Sequence, residues 1–549
     1  MNTPCTPFSP PAHFWKKSGW SLFQLVMNGL IKSALVIASY FLIKSASAGI
    51  RSDSLVYSES VWILSLVAFS FIILRVHERY TSEKMSQKYI NRVRSVLLKR
   101  LMRASVRSVQ NMSVGAMSSR LGGDLTAVKK WLSLGIARLI SHGLLLSIIS
   151  LLMININWYL GLVMLFSMAL LVAVSMIIGK QLKTSIKSVR KNRIKIHSML
   201  VERLSSIVTI RAMGQELSEI KKINKNADKL KQSVSENGFW LGLLRGLGDA
   251  SSLILICMVF AFQATGGHPL NVDEMMALIS IILFINSPIR ELARVHEYYQ
   301  GAEISLKKLK EVFSIPRIVR GSSKTREVKE NFGEVILRNI KFEKVFKGLS
   351  LRAKAGDHVA ITGKNGSGKS TLLHLITGLV KQQSGTIKVN GVNPRLTNTR
   401  GKSAHIGFCG ADTNLIKSTL SKNLTYRGVD YSKDEFNSLL EFCQIDEISS
   451  QLPKGLNTLV KEGGRNFSSG EKCRISLFRA MLGRPEILIL DEPENYLDSM
   501  GFEIVKKILR DYQGTVLIAT HNKELISLCN RKWQLDKERK SNIKMMKRL

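Results

Sequence analysis

Six stretches in the first half of this 549-residue chain are apolar over enough residues to cross a lipid bilayer, and that leaves few folds open to it. They lie near 21–46, 59–77, 132–153, 156–179, 239–263 and 274–294. A helix of about 20 residues, rising about 1.5 Å per residue, spans the roughly 30 Å of bilayer hydrocarbon. The competing reading, buried helices of a large soluble protein, does not call for windows this long.

Charge supports the membrane reading. With the N-terminus inside, the outer loops fall near 47–58, 154–157 and 264–273, where Arg51 is the one Lys or Arg, whereas Arg75–Arg107 and Lys180–Lys231 are densely basic. That is the positive-inside asymmetry, with both termini on the cytoplasmic side of a multi-pass protein of the cytoplasmic (inner) membrane. It also accounts for much of the surplus of 80 Lys and Arg over 41 Asp and Glu, a formal charge of +39. Basic juxtamembrane helices meet anionic headgroups, so no nucleic-acid partner is needed, and a 45% hydrophobic content excludes a disordered polycation. The six cysteines form no CxxC pair, which argues against a disulfide scaffold or structural zinc and suits a reducing compartment. Residues 1–20, with Pro4, Pro7, Pro10 and Pro11 before Lys16 and Lys17, read as a cytoplasmic tail with no signal peptide and no fused peptidase domain ahead of the spans. About fifty residues separate spans two and three, and about sixty separate spans four and five. Both segments read as charged helices that extend the spans into the cytoplasm.

Few ionisable residues interrupt the spans. Arg245 and Asp249, four apart on one helix face, are expected to neutralise each other near the inner interface. Arg138 is expected to snorkel to that interface and His142 to be a hydrogen-bonded packing residue. Lys32 is open between snorkelling and a cavity site. Asn28, Lys32, His142 and Asn286 are candidate cavity residues, and Lys32 points to an anionic or amphipathic cargo.

The second half is of another kind. A polar linker over 316–330 leads into strands expected at Glu334–Arg338 and Val359–Thr362. Between the second strand and an apolar helix, Leu372–Leu379, stands Gly363-Lys364-Asn365-Gly366-Ser367-Gly368-Lys369-Ser370-Thr371, a G-x-x-x-x-G-K-[ST] loop. Its glycines let backbone N–H groups face phosphate oxygens at the positive end of a helix. Lys369 then reaches the β- and γ-phosphates of a nucleotide, and Ser370 offers its hydroxyl to Mg²⁺. Ile487–Leu490 reads as a buried parallel strand delivering Asp491 as a second Mg²⁺ residue, through water, and Glu492 as a general base. Phe467-Ser468-Ser469-Gly470-Glu471 opens a helix running to about Leu482, a second phosphate-binding feature. Val516–Thr520 is another buried strand, ending in His521, a γ-phosphate contact.

In order and kind, these motifs resemble a half-transporter of the ATP-binding cassette (ABC) exporter type over roughly residues 15–545. The resemblance implies an α-helical membrane domain (21–315) of six transmembrane helices with long cytoplasmic extensions, followed by an α/β P-loop NTPase domain of ABC type (331–549). It makes Ser468, Ser469, Gly470 and Glu471 the signature turn, Asp498 the D-loop aspartate and His521 the switch histidine. Lys461-Glu462-Gly463-Gly464 resembles the loop by which exporters touch their membrane helices. Gly115, Arg120 and Asp124 repeat the family's G-x4-R-x3-D, and Pro288 matches its sixth-span proline. Because each ATP in that family lies between one chain's phosphate loop and the other's signature turn, a second half-transporter, identical or related, is the implied partner.

The chain departs from the family where Lys344 replaces an adenine-stacking aromatic, with Phe342 or Phe346 as substitutes, and where Ala411 replaces the glutamine that touches Mg²⁺ and water, with Asp412 adjacent. Ser469 and Glu471 replace a glycine and a glutamine. The function implied is ATP-driven export of a small peptide, lipid or lipophilic compound. The alternatives are a nucleotide-gated regulator or channel, or the weakly hydrolysing half of a heterodimer. The topology is directly testable. In a cysteine-free background, Ser54→Cys should react with an impermeant maleimide in intact cells, and Ser218→Cys only after lysis. The reverse pattern would invert the assignment.

Overall fold

Every backbone N–H and C=O in hydrocarbon must be satisfied within the segment, so an apolar stretch has the helix as its outlet. In the computed structural model of the chain, residues 12–51, 56–110, 112, 114–264, 271–315, 332–395, 405–410, 414–495 and 497–535 are described. The prolines at 4, 7, 10 and 11, the linker 316–330, Ala411 and Asp412 lie outside them. The chain divides into two compact units, residues 1–102 with 110–315, and 103–109 with 316–549.

The first unit is helical. Long helices occupy the six apolar stretches: α1 (Ala12–Arg51), α2 (Val56–Leu101), α3 (Gly115–Ile156), α4 (Trp158–Ser205), α5 (Glu216–Ala264) and α6 (Val272–Ala293), which α7 (Val295–Ser314) follows. By length and composition of the described residues, five of them, α4 excepted, qualify to cross a membrane. The expected extensions are present. The 46 residues of α2 would reach about 70 Å at 1.5 Å each, more than twice the hydrocarbon thickness. The start of α6 is set by a capping box, in which Glu274 Oε2 accepts from the backbone N–H of Asn271 at 3.3 Å. A shared apolar core joins α1, α3, α4, α5 and α6 through Val36, Leu145, Ile149, Met164, Leu255, Leu278 and Ile281.

Polar residues of this unit pair differently from expectation. Asp249 does not pair with Arg245 on its own helix; its Oδ1 lies 3.4 Å from Arg290 Nη1 on α6. Arg138 does not snorkel, because it forms an ion pair with Glu291, Nε to Oε2 at 3.0 Å. Buried Lys32 forms an ion pair with Glu78 of α2. His142 is a hydrogen-bonded packing residue as expected, with Nε2 2.8 Å from Glu291 Oε2 and Nδ1 3.2 Å from Ser141 Oγ. A charge in the bilayer costs about 2.5–3.5 kcal/mol on insertion scales. A counter-charge on a neighbouring helix lowers that cost without moving the side chain to the interface. Of the motif Gly115, Arg120 and Asp124, the two charged residues are structural ties: Arg120 meets Glu311 at 3.1 Å, while buried Asp124 accepts from Ser305 at 3.0 Å and faces Arg190 at 3.4 Å.

The second unit holds two sheets. β1 (Val335–Phe342), β2 (Phe346–Ala353) and β4 (Ser384–Val389) make an antiparallel sheet in the order β2-β1-β4. β3 (His358–Thr362), β5 (Ile406–Gly410), β6 (Ile487–Asp491), β7 (Thr515–Ala519) and β8 (Arg531–Gln534) make a parallel sheet in the order β5-β6-β7-β3-β8. Strands β3, β6 and β7 carry aliphatic side chains buried on both faces, as a sheet covered on both sides requires. The covering helices include α8 (Lys369–Ile376), α9 (Ser469–Met481) and α10 (Ser499–Asp511). Leu372, Leu375 and Ile376 enter one core with β1 and β3, while Leu477, Ile504 and Ile508 enter another against β6 and β7.

At the start of β5, His405 Nδ1 lies 2.7 Å from a Glu486 carboxylate oxygen. The hydrogen bond from that carboxylate raises the imidazole pKa above its ordinary value, against a smaller opposing effect of burial. A group bound more tightly when protonated stabilises the fold fully below its ordinary pKa, and that contribution disappears as pH rises through the elevated value. His405→Ala should therefore lower the melting temperature of the full chain more at pH 5.5 than at pH 8.5. An equal loss at both would show that the pair does not act through charge.

Candidate functional site

Strand register assembles the site. Asp491 of β6 stands beside Ala519 of β7, and Ala519 stands beside Ile361 of β3. The next residues along each strand, Glu492, Thr520-His521 and Thr362-Gly363, therefore leave the sheet together at its carboxyl edge, where α/β folds collect their ligands. Two further backbone bonds hold the edge: Glu492 N–H donates to Ala519 O at 2.9 Å and Thr520 N–H to Ile361 O at 3.2 Å.

The phosphate loop leaves β3 at Gly363 and enters α8 at Lys369. Gly368 has a φ of +101°, and a Cβ there would sit 2.6 Å from Val345 Cγ1. At Gly363 a Cβ would lie 2.4 Å from the Leu535 carbonyl oxygen, so both positions require glycine. Lys364, Asn365 and Gly366 form the exposed crest of the loop, with Ser370 exposed and Thr371 half-buried behind them. Ser367 is held by its N–H donating to Lys364 O at 3.0 Å, and its buried hydroxyl has no partner.

Lys369 is 5% exposed, an unusual position for an ammonium group, and three groups surround it. Its Nζ donates to the Gly363 carbonyl at 3.2 Å, meets Glu492 Oε1 at 3.1 Å and lies 2.6 Å from His521 Nε2. Lys369, Glu492 and His521 thus converge on one point. Glu492 adopts a φ of +47°, a left-handed backbone costing about 1–3 kcal/mol for a non-glycine. It is kept there by its backbone bond to β7 and by Asn495 Nδ2, which donates to Glu492 Oε2 at 3.0 Å.

Asp491 has the character of a cation ligand. Its Oδ1 is buried without a hydrogen-bond partner. Burial raises its carboxyl pKa, the Ser370 hydroxyl bond partly offsets this, and the charge of Glu492 raises it further. A desolvated carboxylate beside a serine hydroxyl at the lip of a phosphate loop fits Mg²⁺, which favours one or two carboxylates together with substrate phosphates.

The signature turn is built by a capping box at the start of α9. Ser468 Oγ accepts from Glu471 N–H at 3.2 Å, and Glu471 Oε2 accepts from Ser468 N–H at 2.6 Å. Ser468 and Ser469 are exposed while Gly470 is buried, and a Cβ on Gly470 would sit 2.8 Å from Asp498 Oδ2. Asp498 caps α10 through Gly501 N–H at 2.8 Å and faces Arg474 of α9 at 3.5 Å. The aspartate and the signature helix are thus tied within one chain.

Phe342 and Phe346, proposed substitutes for the missing aromatic, are each 5% exposed in the core of the β1–β3 region and present no face for stacking. Lys344 is exposed in the turn between β1 and β2. Sequence reasoning missed Glu494, which accepts from the Thr520 hydroxyl and from His521 N–H at 3.0 Å and so fixes the backbone that carries His521. It also missed Asn495. The signal was a second acidic residue and an amide directly after Glu492-Pro493.

Comparison with known proteins agrees with these features. Residues 18–289 match the ABC transporter transmembrane region family and residues 346–495 the ABC transporter family. The uncharacterized ABC transporter ATP-binding protein YknU of Bacillus subtilis is 24% identical over 91% of this chain and 87% of its own length. ABC transporter B family member 4 of Dictyostelium discoideum is 28% identical over 79% of this chain, which spans 58% of that longer protein. A solved structure of a bacterial Atm1-family ABC exporter with ATP bound superposes with a TM-score of 0.80 at 21% identity, covering 95% of this chain and 94% of that one, a likeness of fold.

If Asp491 serves a metal through water, Asp491→Asn should weaken the Mg²⁺-dependent part of binding of a fluorescent ATP analogue by roughly tenfold or more. Binding in EDTA should stay nearly unchanged. Equal losses in both conditions would place Asp491 in the fold rather than at the metal.

Proposed function

Because the chain belongs to the ABC transporter family, with its transmembrane region and ATP-binding domain in one polypeptide, we propose that it is an ATP-driven exporter working as a dimer of half-transporters. The observation that carries this reading is the convergence of Glu492 and His521 on the Lys369 ammonium at the lip of the phosphate loop. A triphosphate entering the loop supplies Lys369 with new anionic partners and releases Glu492, whose carboxylate can then accept a proton from water. Asn495 holds that carboxylate in place, and Glu494 presents His521 to the γ-phosphate. Ser370 and Asp491 would hold Mg²⁺, which would neutralise phosphate charge in this type of chemistry. The exposed turn at Ser468 and Ser469 closes on the phosphate loop of a partner half-transporter. ATP can move the membrane helices only through its differential affinity for the closed and open arrangements, so this contact between chains is the source of coupling. The site lies on the cytoplasmic face of the inner membrane, and the cargo is a small peptide, lipid or lipophilic compound.

A heterodimer with a faster second site is the other reading. It is favoured by Glu471, whose carboxylate is turned back onto its own helix, and by Lys344 in the exposed β1–β2 turn. Purified protein in lipid should hydrolyse ATP, with Glu492→Gln lowering the rate at least about tenfold, in the range that loss of a general base costs, and Lys369→Ala abolishing it. Inverted vesicles should accumulate cargo with ATP, which a gated channel cannot do. A wild type inert alone but active with a second half-transporter would establish the heterodimer.

A further inference from the structure

Within the membrane unit, α1, α2, α3 and α6 line a half-open cavity of about 870 Å³, a volume that suits a drug-sized ligand. Its two sides differ chemically. Phe71, Ile72, Leu145, Leu283 and Phe284 form an apolar wall, while the remaining lining includes four Lys or Arg side chains, three Glu and His142. Four minus three leaves one unbalanced positive charge before His142 is counted.

The ions are organised around Glu291. One of its carboxylate oxygens meets Arg75 at 3.1 Å, and the other meets Arg138 at 3.0 Å and His142 at 2.8 Å. A single carboxylate thus serves two guanidinium groups and an imidazole, and Arg138 retains a buried Nη1 with no acceptor. Lys32 and Glu78 form a separate pair, which Ser141 joins to His142 by donating to Glu78 Oε1 at 2.5 Å. An incoming anion would supply the charge that this cluster lacks. An incoming cation would have to take Glu291 from the three groups that already share it. The adjoining aromatic and aliphatic wall asks for an apolar body on the same molecule.

Resting on the exporter reading above, we propose that this cavity takes an anionic amphiphile as cargo. Its carboxylate or phosphate headgroup shares Arg75, Arg138 and His142 with Glu291, and its apolar body lies along Phe71, Leu283 and Phe284. Glu291 acts as a resident counter-ion, holding the cations together until the headgroup arrives.

The test is equilibrium binding to the full chain in phosphatidylcholine nanodiscs without nucleotide. The probes are dodecanoate, dodecyl phosphate, dodecyltrimethylammonium and inorganic phosphate, all below micellar concentrations. Either or both anionic amphiphiles should bind at least about tenfold more tightly than the cation, a difference of about 1.4 kcal/mol, and the tighter of the two identifies the headgroup. Equal binding, a preference for the cation, or inorganic phosphate binding as tightly as either amphiphile would overturn the proposal. Arg138→Gln should weaken the anion about tenfold, whereas Glu291→Gln, which removes the competing carboxylate, should tighten it. Weakening in both would mean that the cluster only holds helices together. Should Glu291→Gln not fold, Arg75→Gln against Arg75→Lys decides, since affinity should fall with Gln and survive with Lys, and equal affinities would overturn the proposal. Anion preference without ATP-dependent accumulation in vesicles would remove the exporter reading and leave the cavity as an anionic-amphiphile site without a transported cargo. Accumulation together with a cation preference would do the reverse.

Discussion

A charge taken out of water must find a counter-charge, and in this protein that requirement shapes both units. In the helical unit, Lys32 is held by Glu78, and Arg75, Arg138 and His142 are held by Glu291. In the nucleotide unit, the almost fully buried Lys369 is held by Glu492. Removing one member of such a pair leaves an uncompensated buried ion, which costs far more than the pair contributes when intact. The pairs therefore act as constraints on where helices and strand ends lie more than as sources of net stability.

The same chemistry makes these contacts exchangeable. A carboxylate that neutralises a cation can be replaced there by another anion of suitable shape, and the released carboxylate becomes available for other work. Under the proposed function a triphosphate takes that place at Lys369 and the group it releases is Glu492, already fixed by Asn495 and by its backbone bond to β7. Under the proposed cargo reading, the headgroup takes it at Arg75 and Arg138. Ligand entry at either place is thereby coupled to rearrangement of residues that the ligand need not touch. Differential affinity, and nothing else, lets a ligand move a conformational equilibrium.

Much of this was legible in the chain itself. Runs of apolar residues marked the helices, four-residue aliphatic runs marked β6 and β7, and the glycine spacing of 363–371 marked the phosphate loop. Each of these signals is local, arising from backbone satisfaction in lipid, burial on both faces of a sheet, or close approach of a loop to an anion. The errors were of another kind. Arg245 and Asp249 have the spacing of an intrahelical pair, yet Asp249 turns to Arg290, 41 residues away. Arg138 has the position of a snorkelling residue, yet it finds Glu291. Phe342 and Phe346 have the right chemistry for a nucleotide platform, yet the alternation of β1 and β2 directs both into the core.

By its order of apolar, basic and glycine-rich segments, the sequence alone determined a chain of membrane helices joined to a phosphate-binding α/β domain, because periodicity and spacing act over a few residues. Only the tertiary structure decided which charges meet. His142 and Glu291 are 149 residues apart, and Lys369 and His521 are 152 apart. No spacing rule connects such pairs, since a side chain chooses its partner by the packing of whole helices and the register of neighbouring strands.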